Sequence, residues 1–427
     1  MRRIIGHYET RPGLRPEDPP IEVPVAKDLE TVPGIPTRPD EVAFYSREEP
    51  LESVAVKESA SAEWASEVRR ESWPEVTELY ERHVERNGPL VEWIKSVGDL
   101  EPTGTPTGED VTDALRTRAR ELGYGEVGFT KFDRRYVDQG RRADLKPGLP
   151  NAVCLALEQD YEATQTLPSL EAEEAHGATY ERQGELVKEL VEYIRSLGYR
   201  CQVSGPTWFL GPVIPMFVAA GLGQLGHNGQ LLSPHFGSRA RLQIVLTDAR
   251  VTHDKPVDYG IHNFCRGCQV CVTRCPGRAL SGQQLWHRGV EKAKLVFKRC
   301  RPVMARYSGC GVCIKVCPIQ RYGMQPVMEH YITTGKVLGM GTDNLEGYSL
   351  PGKGYFPPGR RPSFDPEFFD MPRGRIEDQV IDRFKERLAE DGAGEPADGQ
   401  VWQELKLDLE RAVQRQDDIV DMGMDIV

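Results

Sequence analysis

Eight of the ten cysteines in this chain fall between Cys265 and Cys317, and their spacing constrains the fold more than any other feature. The order is Cys265-x2-Cys268-x2-Cys271-x3-Cys275-Pro276, then a lone Cys300, then Cys310-x2-Cys313-x3-Cys317-Pro318. A four-iron cluster takes four soft thiolates. A run of this kind supplies three from one tight loop, while its fourth cysteine reaches across to the neighbouring cluster. That logic gives Cys265, Cys268 and Cys271 to one [4Fe–4S] cluster with Cys317, and Cys310, Cys313, Cys275 and Cys300 to the other. The second run lacks its outer cysteine, so Cys300 must come in from ten residues upstream.

C-x2-C is also zinc spacing. Zinc sites need neither a third cysteine at x2 nor a proline after the last one, whereas bacterial two-cluster ferredoxins show both. Disulfides suit an oxidising compartment, and nothing here points to one. Met1-Arg2-Arg3 carries paired arginines, but no apolar run follows them. A twin-arginine signal is therefore rejected and the expected location is cytoplasmic. No apolar stretch approaches the roughly 20 residues that span a bilayer. A net charge of −11 over 427 residues argues against a nucleic-acid partner, because binding phosphates requires clustered positive charge.

Four regions are expected. Residues 1–107 form an N-terminal arm and a helical region. The arm holds eight prolines before position 40 and reads as extended over the surface or disordered. From Ala60 to Val97 apolar residues recur at helical spacing, with a break expected at Gly88-Pro89. Residues 108–257 alternate elements as an α/β domain does: a helix from Val111 to Leu122 stopped by Gly123, strands at Glu126 to Phe132 and Ala152 to Leu157, and a helix from Glu173 to Leu197 stopped by Gly198. A strand at Tyr199 to Ser204, an apolar helix at Gly211 to Leu222, a glycine-rich loop at Gly223 to Gly237 and a strand at Leu242 to Thr247 complete it. Cys154 and Cys201 fall in strands and read as packing residues. Residues 258–325 are the cluster module. Residues 326–427 are a C-terminal extension covering the active site, with a polar helical tail over Ile376 to Met422.

Five strings in order resemble the cobalamin-dependent reductive dehalogenases, from about Val111 to Gln320. They are Tyr180-Glu181-Arg182; Val191 through Tyr199; Ala220 through Gly229; Phe236-Gly237-Ser238-Arg239; and Leu246-Thr247-Asp248. Epoxyqueuosine reductases share the same frame. The resemblance implies a nitroreductase-like α/β domain holding base-off cobalamin, fused to a two-[4Fe–4S] bacterial ferredoxin-like module. One cluster sits against the corrin, and the other faces an external electron donor such as ferredoxin or flavodoxin. Gly221-Leu222-Gly223-Gln224-Leu225-Gly226 fits G-x-G-x-x-G, but it follows a helix rather than a strand. It is therefore read as backbone approaching the corrin, with Gly223, Gly226, His227, Asn228, Gly229, Phe236, Gly237 and Ser238 as cofactor-binding residues.

Two positions separate the branches. Epoxyqueuosine reductases place an aspartate just before the tyrosine, where this chain has Thr179; dehalogenases use the tyrosine itself, here Tyr180. His227 stands where dehalogenases have Arg or Lys, and it is expected close to Tyr180, supporting the phenolate that forms there. The expected activity is reductive removal of halogen from an organic substrate. Another cobalamin-dependent reductive cleavage, of the epoxyqueuosine type, and a corrin-free electron carrier remain as alternatives.

Overall fold

The computed structural model describes residues 2–4, 21–38, 60–138, 141–287 and 289–371. Strands β1 (Arg2–Ile4) and β2 (Ile21–Val23) pair antiparallel, and the arm continues to residue 38. Val23 and Leu29 are buried in the core of the cysteine-rich segment. Of the two expectations for this region, the extended arm is the one that holds over residues 21–38.

Helices α1 (Ala60–Ser72) and α2 (Pro74–Ser96) follow. The break expected at Gly88-Pro89 is not there: α2 runs through Pro89, and the chain breaks at Trp73-Pro74. Proline at a helix's first position loses nothing, since its missing N–H would have had no partner. At Pro89 the missing bond is offset by tertiary burial, because Leu90 and Ile94, one turn apart, both lie in the core.

Next come α3 (Thr112–Leu122), β3 (Glu126–Lys131), β4 (Asn151–Glu158), α4 (Leu170–Ser196), β5 (Cys201–Ser204), α5 (Ile214–Ala219), β6 (Gln224–Leu225), β7 (Leu231–Leu232) and β8 (Ala240–Thr247). Four of the strands form one antiparallel sheet in the order β3-β4-β8-β5. Ala152 to Leu157 of β4 are all buried. Successive strand residues point to opposite faces, so both faces of the sheet are covered. Cys154 lies opposite Ile244, and Cys201 opposite Thr247, both inside this core.

The glycine stops hold: Gly123 and Gly198 take φ of +106° and +88°, the left-handed region that favours glycine at a helix end. Two spans differ from expectation. Ser169 caps α4 through the N–H of Ala172, so the helix starts before Glu173 and Tyr180 lies well inside it. The apolar helix shrinks to α5, with Pro215 in its first turn.

The cysteine-rich segment contains α6 (Ile261–Cys268), a hairpin of β9 (Leu280–His287) and β10 (Val290–Leu295), α7 (Phe297–Arg306) and α8 (Met324–Thr334). Strands β11 (Tyr348–Leu350) and β12 (Gly354–Phe356) close the described chain and pack into the same core as the arm. Arg274, fully buried, ties this extension down by donating to the carbonyls of Glu346, Phe356 and Arg360. The expected helical tail at 376–422 lies outside the described residues. Among the described residues no helix is long and apolar enough to cross a membrane.

Candidate active site

The eight cysteines of the module separate into two sets of four. Burial, followed by the nearby Cys317, pushes the Cys265 thiol up to about 12. Burial and then Cys265 and Cys317 raise Cys268, and burial and then Cys265, Cys268, Cys317 and Cys313 raise Cys271. Around Cys300 the neighbours that raise the thiol are instead Cys310, Cys275 and Cys313. Cys313 also feels Cys317, so the two sets adjoin. Buried thiols that repel one another's charge persist as thiolates only when a multivalent cation is shared among them. Among the described residues no three side chains converge as ligands of a single ion do.

The glycine-rich stretch is mostly the β6–β7 hairpin. A Cβ at Gly223 would lie 2.6 Å from the Leu232 carbonyl oxygen, so glycine is required there by the hairpin itself. In the turn, the backbone N–H of His227 donates to the Cys265 sulfur. Its Nε2 lies 2.6 Å from the Ser281 carbonyl, while Nδ1 is buried without a partner. A carbonyl only accepts, so Nε2 carries the proton and Nδ1 presents a lone pair. Asn228 donates to the Cys313 carbonyl at 3.3 Å. With Gly229 these residues line a cavity of about 230 Å³ between the arm, α5 and the β9–β10 hairpin. Phe236 is fully buried against Gly125. Gly237 has φ +56° and would place a Cβ 2.4 Å from the Gln320 Cα. Next to it, the Ser238 hydroxyl and both amide atoms of Gln320 are buried without partners.

Tyr180 lies on α4. Its ring lies 4.8 Å from the His176 ring, and the Arg241 guanidinium sits 5.6 Å from it. Gln159 accepts from Arg241 Nε at 3.0 Å, leaving the cation in place under the tyrosine. His176 Nδ1 is 3.5 Å from Glu173, and His83 Nδ1 is 2.5 Å from Glu181. The Nε2 atoms of both histidines are buried and unpartnered. Thr179 turns back to the Ala175 carbonyl at 2.6 Å.

No family model matches the chain. A tetrachloroethene reductive dehalogenase of Dehalobacter restrictus is 33% identical over 204 residues, covering 44% of this chain and 36% of that one. That of Sulfurospirillum multivorans is 29% identical over 180 residues, covering 40% and 36%. Over this part the chain is similar to reductive dehalogenases. Its match spans about a third of the length of these relatives. An epoxyqueuosine reductase of a Synechococcus strain is also similar, at 26% identity over 264 residues, with 51% and 77% covered. Both groups are oxidoreductases. Two solved reductive dehalogenases share the fold: one at TM-score 0.61 and 18% identity, covering 81% of this chain and 54% of the other. The second, solved with 3-bromo-4-hydroxybenzoic acid, has TM-score 0.58 and 19% identity, covering 81% and 55%.

Within this dehalogenase-like frame, Tyr180 and His227 were expected side by side. Among the neighbours of His227 are Ser281 and Cys265, and among those of Tyr180 are His176 and Arg241. Sequence reading missed Arg241 although it is two residues past the Phe236-Gly237-Ser238-Arg239 string, where strand alternation puts it on the same face as Arg239. His83 was unreadable as a neighbour of α4, because contact between α2 and α4 is a tertiary fact.

Proposed function

We propose that the chain is a reductive dehalogenase-like reductase that replaces a carbon–halogen bond by carbon–hydrogen: R–X, two electrons and a proton give R–H and halide. The observation that carries this reading is the pairing of Tyr180 with the fixed cation of Arg241. A free tyrosine has a pKa near 10, and a neighbouring cation favours its anion. Tyr180 is therefore suited to give its proton to carbon, and Arg241 to hold the phenolate that results. A guanidinium is a permanent cation, which the histidine expected in that role is not.

The residues fit the implied cofactors. The two cysteine sets would hold two [4Fe–4S] clusters. The unpartnered groups of Ser238, Gln320 and His227 would meet the amide-rich rim of cobalamin. Bound there, cobalamin supplies reductive bond cleavage and the clusters supply single electrons from an external donor such as ferredoxin or flavodoxin. The chain's own part is to orient substrate, exclude water and deliver the proton. The negative net charge favours a small halogenated organic substrate over a nucleic acid.

An epoxyqueuosine-type reduction is the second reading, favoured by the 77% coverage of that relative. Against it, the position before the tyrosine is a threonine whose hydroxyl is committed to Ala175.

The test is anaerobic purification with cobalamin supplied, followed by assay of halide release from brominated phenols with reduced viologen. Tyr180→Phe should abolish halide release while iron and cobalt contents stay at wild-type levels. Undiminished turnover would remove the tyrosine from the mechanism.

A further inference from the structure

Charge is unevenly placed along this chain. Residues 258–325 hold twelve Lys and Arg against two Asp and Glu, a net of +10, so the rest of the chain carries −21. Two four-iron clusters held by eight thiolates would bring about −4 when oxidised, which offsets less than half of that excess. Part of what remains gathers over one set of cysteines. The chain turns just after Cys275, where the Arg278 N–H donates to the Cys275 carbonyl at 3.2 Å and the Ala279 N–H to the Cys275 sulfur at 3.3 Å. The Ala279 carbonyl accepts from Val296, and the Val296 carbonyl accepts from the Cys300 N–H at 3.1 Å. Arg278 and Val296 thus stand directly outside two ligands of the cluster that holds Cys300. Both side chains are exposed, Val296 by 49%. Among the described residues the Arg278 guanidinium makes no hydrogen bond, ion pair or ring contact. Beside it, Arg299 donates to the Gly277 carbonyl at 2.6 Å and lies 4.2 Å from the Phe369 ring. Arg360, also exposed, is joined through its carbonyl to Arg274, the residue before Cys275. The other set faces inward. The Cys265 sulfur accepts from the His227 N–H, and Cys265, Cys268 and Cys317 are buried, whereas Cys300, Cys310 and Cys313 are partly exposed.

We propose that Arg278, Val296 and Arg360 form the docking face for an acidic ferredoxin, and that electrons enter through the cluster held by Cys275, Cys300, Cys310 and Cys313. This rests on the two clusters proposed above and not on the substrate. In each encounter the reduced ferredoxin gives one electron to the oxidised cluster and leaves oxidised, so one R–X reduction takes two encounters. A ferredoxin, like the cluster it meets, exchanges one electron and no more. Its negative surface is steered to the +10 segment and repelled by the −21 of the rest. A small apolar contact ringed by charge suits a partner that must leave again. RNA is the other polyanion that a basic face could hold, but this face covers cluster sulfurs, which an electron carrier uses and an RNA does not.

The test mixes reduced plant-type ferredoxin with the iron-reconstituted full chain, without cobalamin, and follows cluster reduction by stopped-flow absorbance. Reduced methyl viologen, a small cation, is the comparison reductant. For wild type the second-order rate with ferredoxin should fall steeply as salt is added. Arg278→Glu and Arg360→Glu should each lower it about tenfold at low salt while the viologen rate holds. Arg134→Glu, exposed on the α/β domain, should change neither rate. Arg278 takes φ +53°, a conformation that glycine adopts at least cost. Arg278→Gly should therefore lose nearly as much ferredoxin rate while unfolding no earlier than wild type. Equal ferredoxin rates in wild type and both Glu variants would overturn the docking face. So would a parallel loss with viologen, which would make these residues part of the cluster's own surroundings. Reduction of wild type by viologen or flavodoxin but not by ferredoxin would overturn the occupant. Arg278-dependent gel shift of a tRNA anticodon stem-loop, with no response to ferredoxin, would make this an RNA face. A chain that takes up no iron would end the cluster reading and this proposal with it; halide release plays no part in the result.

Discussion

At the scale of single residues, the ionisable groups around Tyr180 act on one another as well as on a substrate. Burial, then Arg241, lowers the His176 pKa from its ordinary 6.5, and Glu173 opposes this; His83 also presses it down. The imidazole is therefore neutral in the fold at pH values where it is already protonated in the unfolded chain. Between about pH 6.5 and the folded value the unfolded state binds more protons, so stability falls as pH falls. Glu173, held below its usual range, titrates under this window. His176→Gln should remove the slope. The difference in denaturation midpoint between pH 7.5 and 5.5 should shrink by up to about 1 kcal/mol per pH unit relative to wild type. An unchanged acid limb would mean that His176 is protonated in the fold. Tyr180 was legible in the sequence because it sits in a string with a fixed order. Its neighbour Arg241 was not, because it reaches the ring only through sheet and helix packing.

At the scale of elements, spacing was legible and enclosure was not. The cysteine runs suggest a partition into two sets; the thiols influence one another within those sets but also across them, Cys271 and Cys317 acting with Cys313. The β9–β10 hairpin between them left no signal, since Leu280 to His287 has polar residues and a glycine where a strand would alternate. That hairpin sets where Cys300 comes from. The Val296 N–H donates to the Ala279 carbonyl at 2.7 Å, pinning the start of α7 to the end of the first cysteine run. Cys300 therefore approaches from a helix, beside Cys310 and Cys275, rather than from a loop. Cys300→Ser should bring iron from about eight to about four per chain, because the set with Cys317 keeps all its ligands. Cys154→Ala and Cys201→Ala, both in the sheet core, should leave iron unchanged. Zinc in place of iron would undo the cluster assignment altogether.

At the scale of the molecule, one amide joins three parts of the chain. Gln224 of β6, almost fully buried, donates to the Gly34 carbonyl of the arm at 2.6 Å. Its oxygen accepts from the Tyr259 and Ile261 N–H groups at 2.7 and 3.2 Å, where the cysteine-rich segment begins. Asp258, also buried, adds the arm's Thr31 N–H at 2.8 Å and the Gly260 N–H at 2.9 Å. A sequence cannot show that a glutamine inside a glycine-rich run is the fastener, because each of its partners is remote in the chain. Gln224→Ala would strand the Gly34 carbonyl and the Tyr259 N–H in a dry interior, at a cost of about 3 kcal/mol. Gln224→Glu keeps an acceptor for Tyr259 but turns an oxygen toward the Gly34 carbonyl and places a charge beside Asp258. The arm should be lost first, since Val23 and Leu29 are its few buried apolar anchors. Limited proteolysis read by mass spectrometry should therefore show cleavage between residues 21 and 38 in both variants under conditions where wild type is uncut. The denaturation midpoint should fall with it. If both variants resist protease as wild type does, the arm is held by Val23 and Leu29, and the buried amide joins only β6 to the cysteine-rich segment.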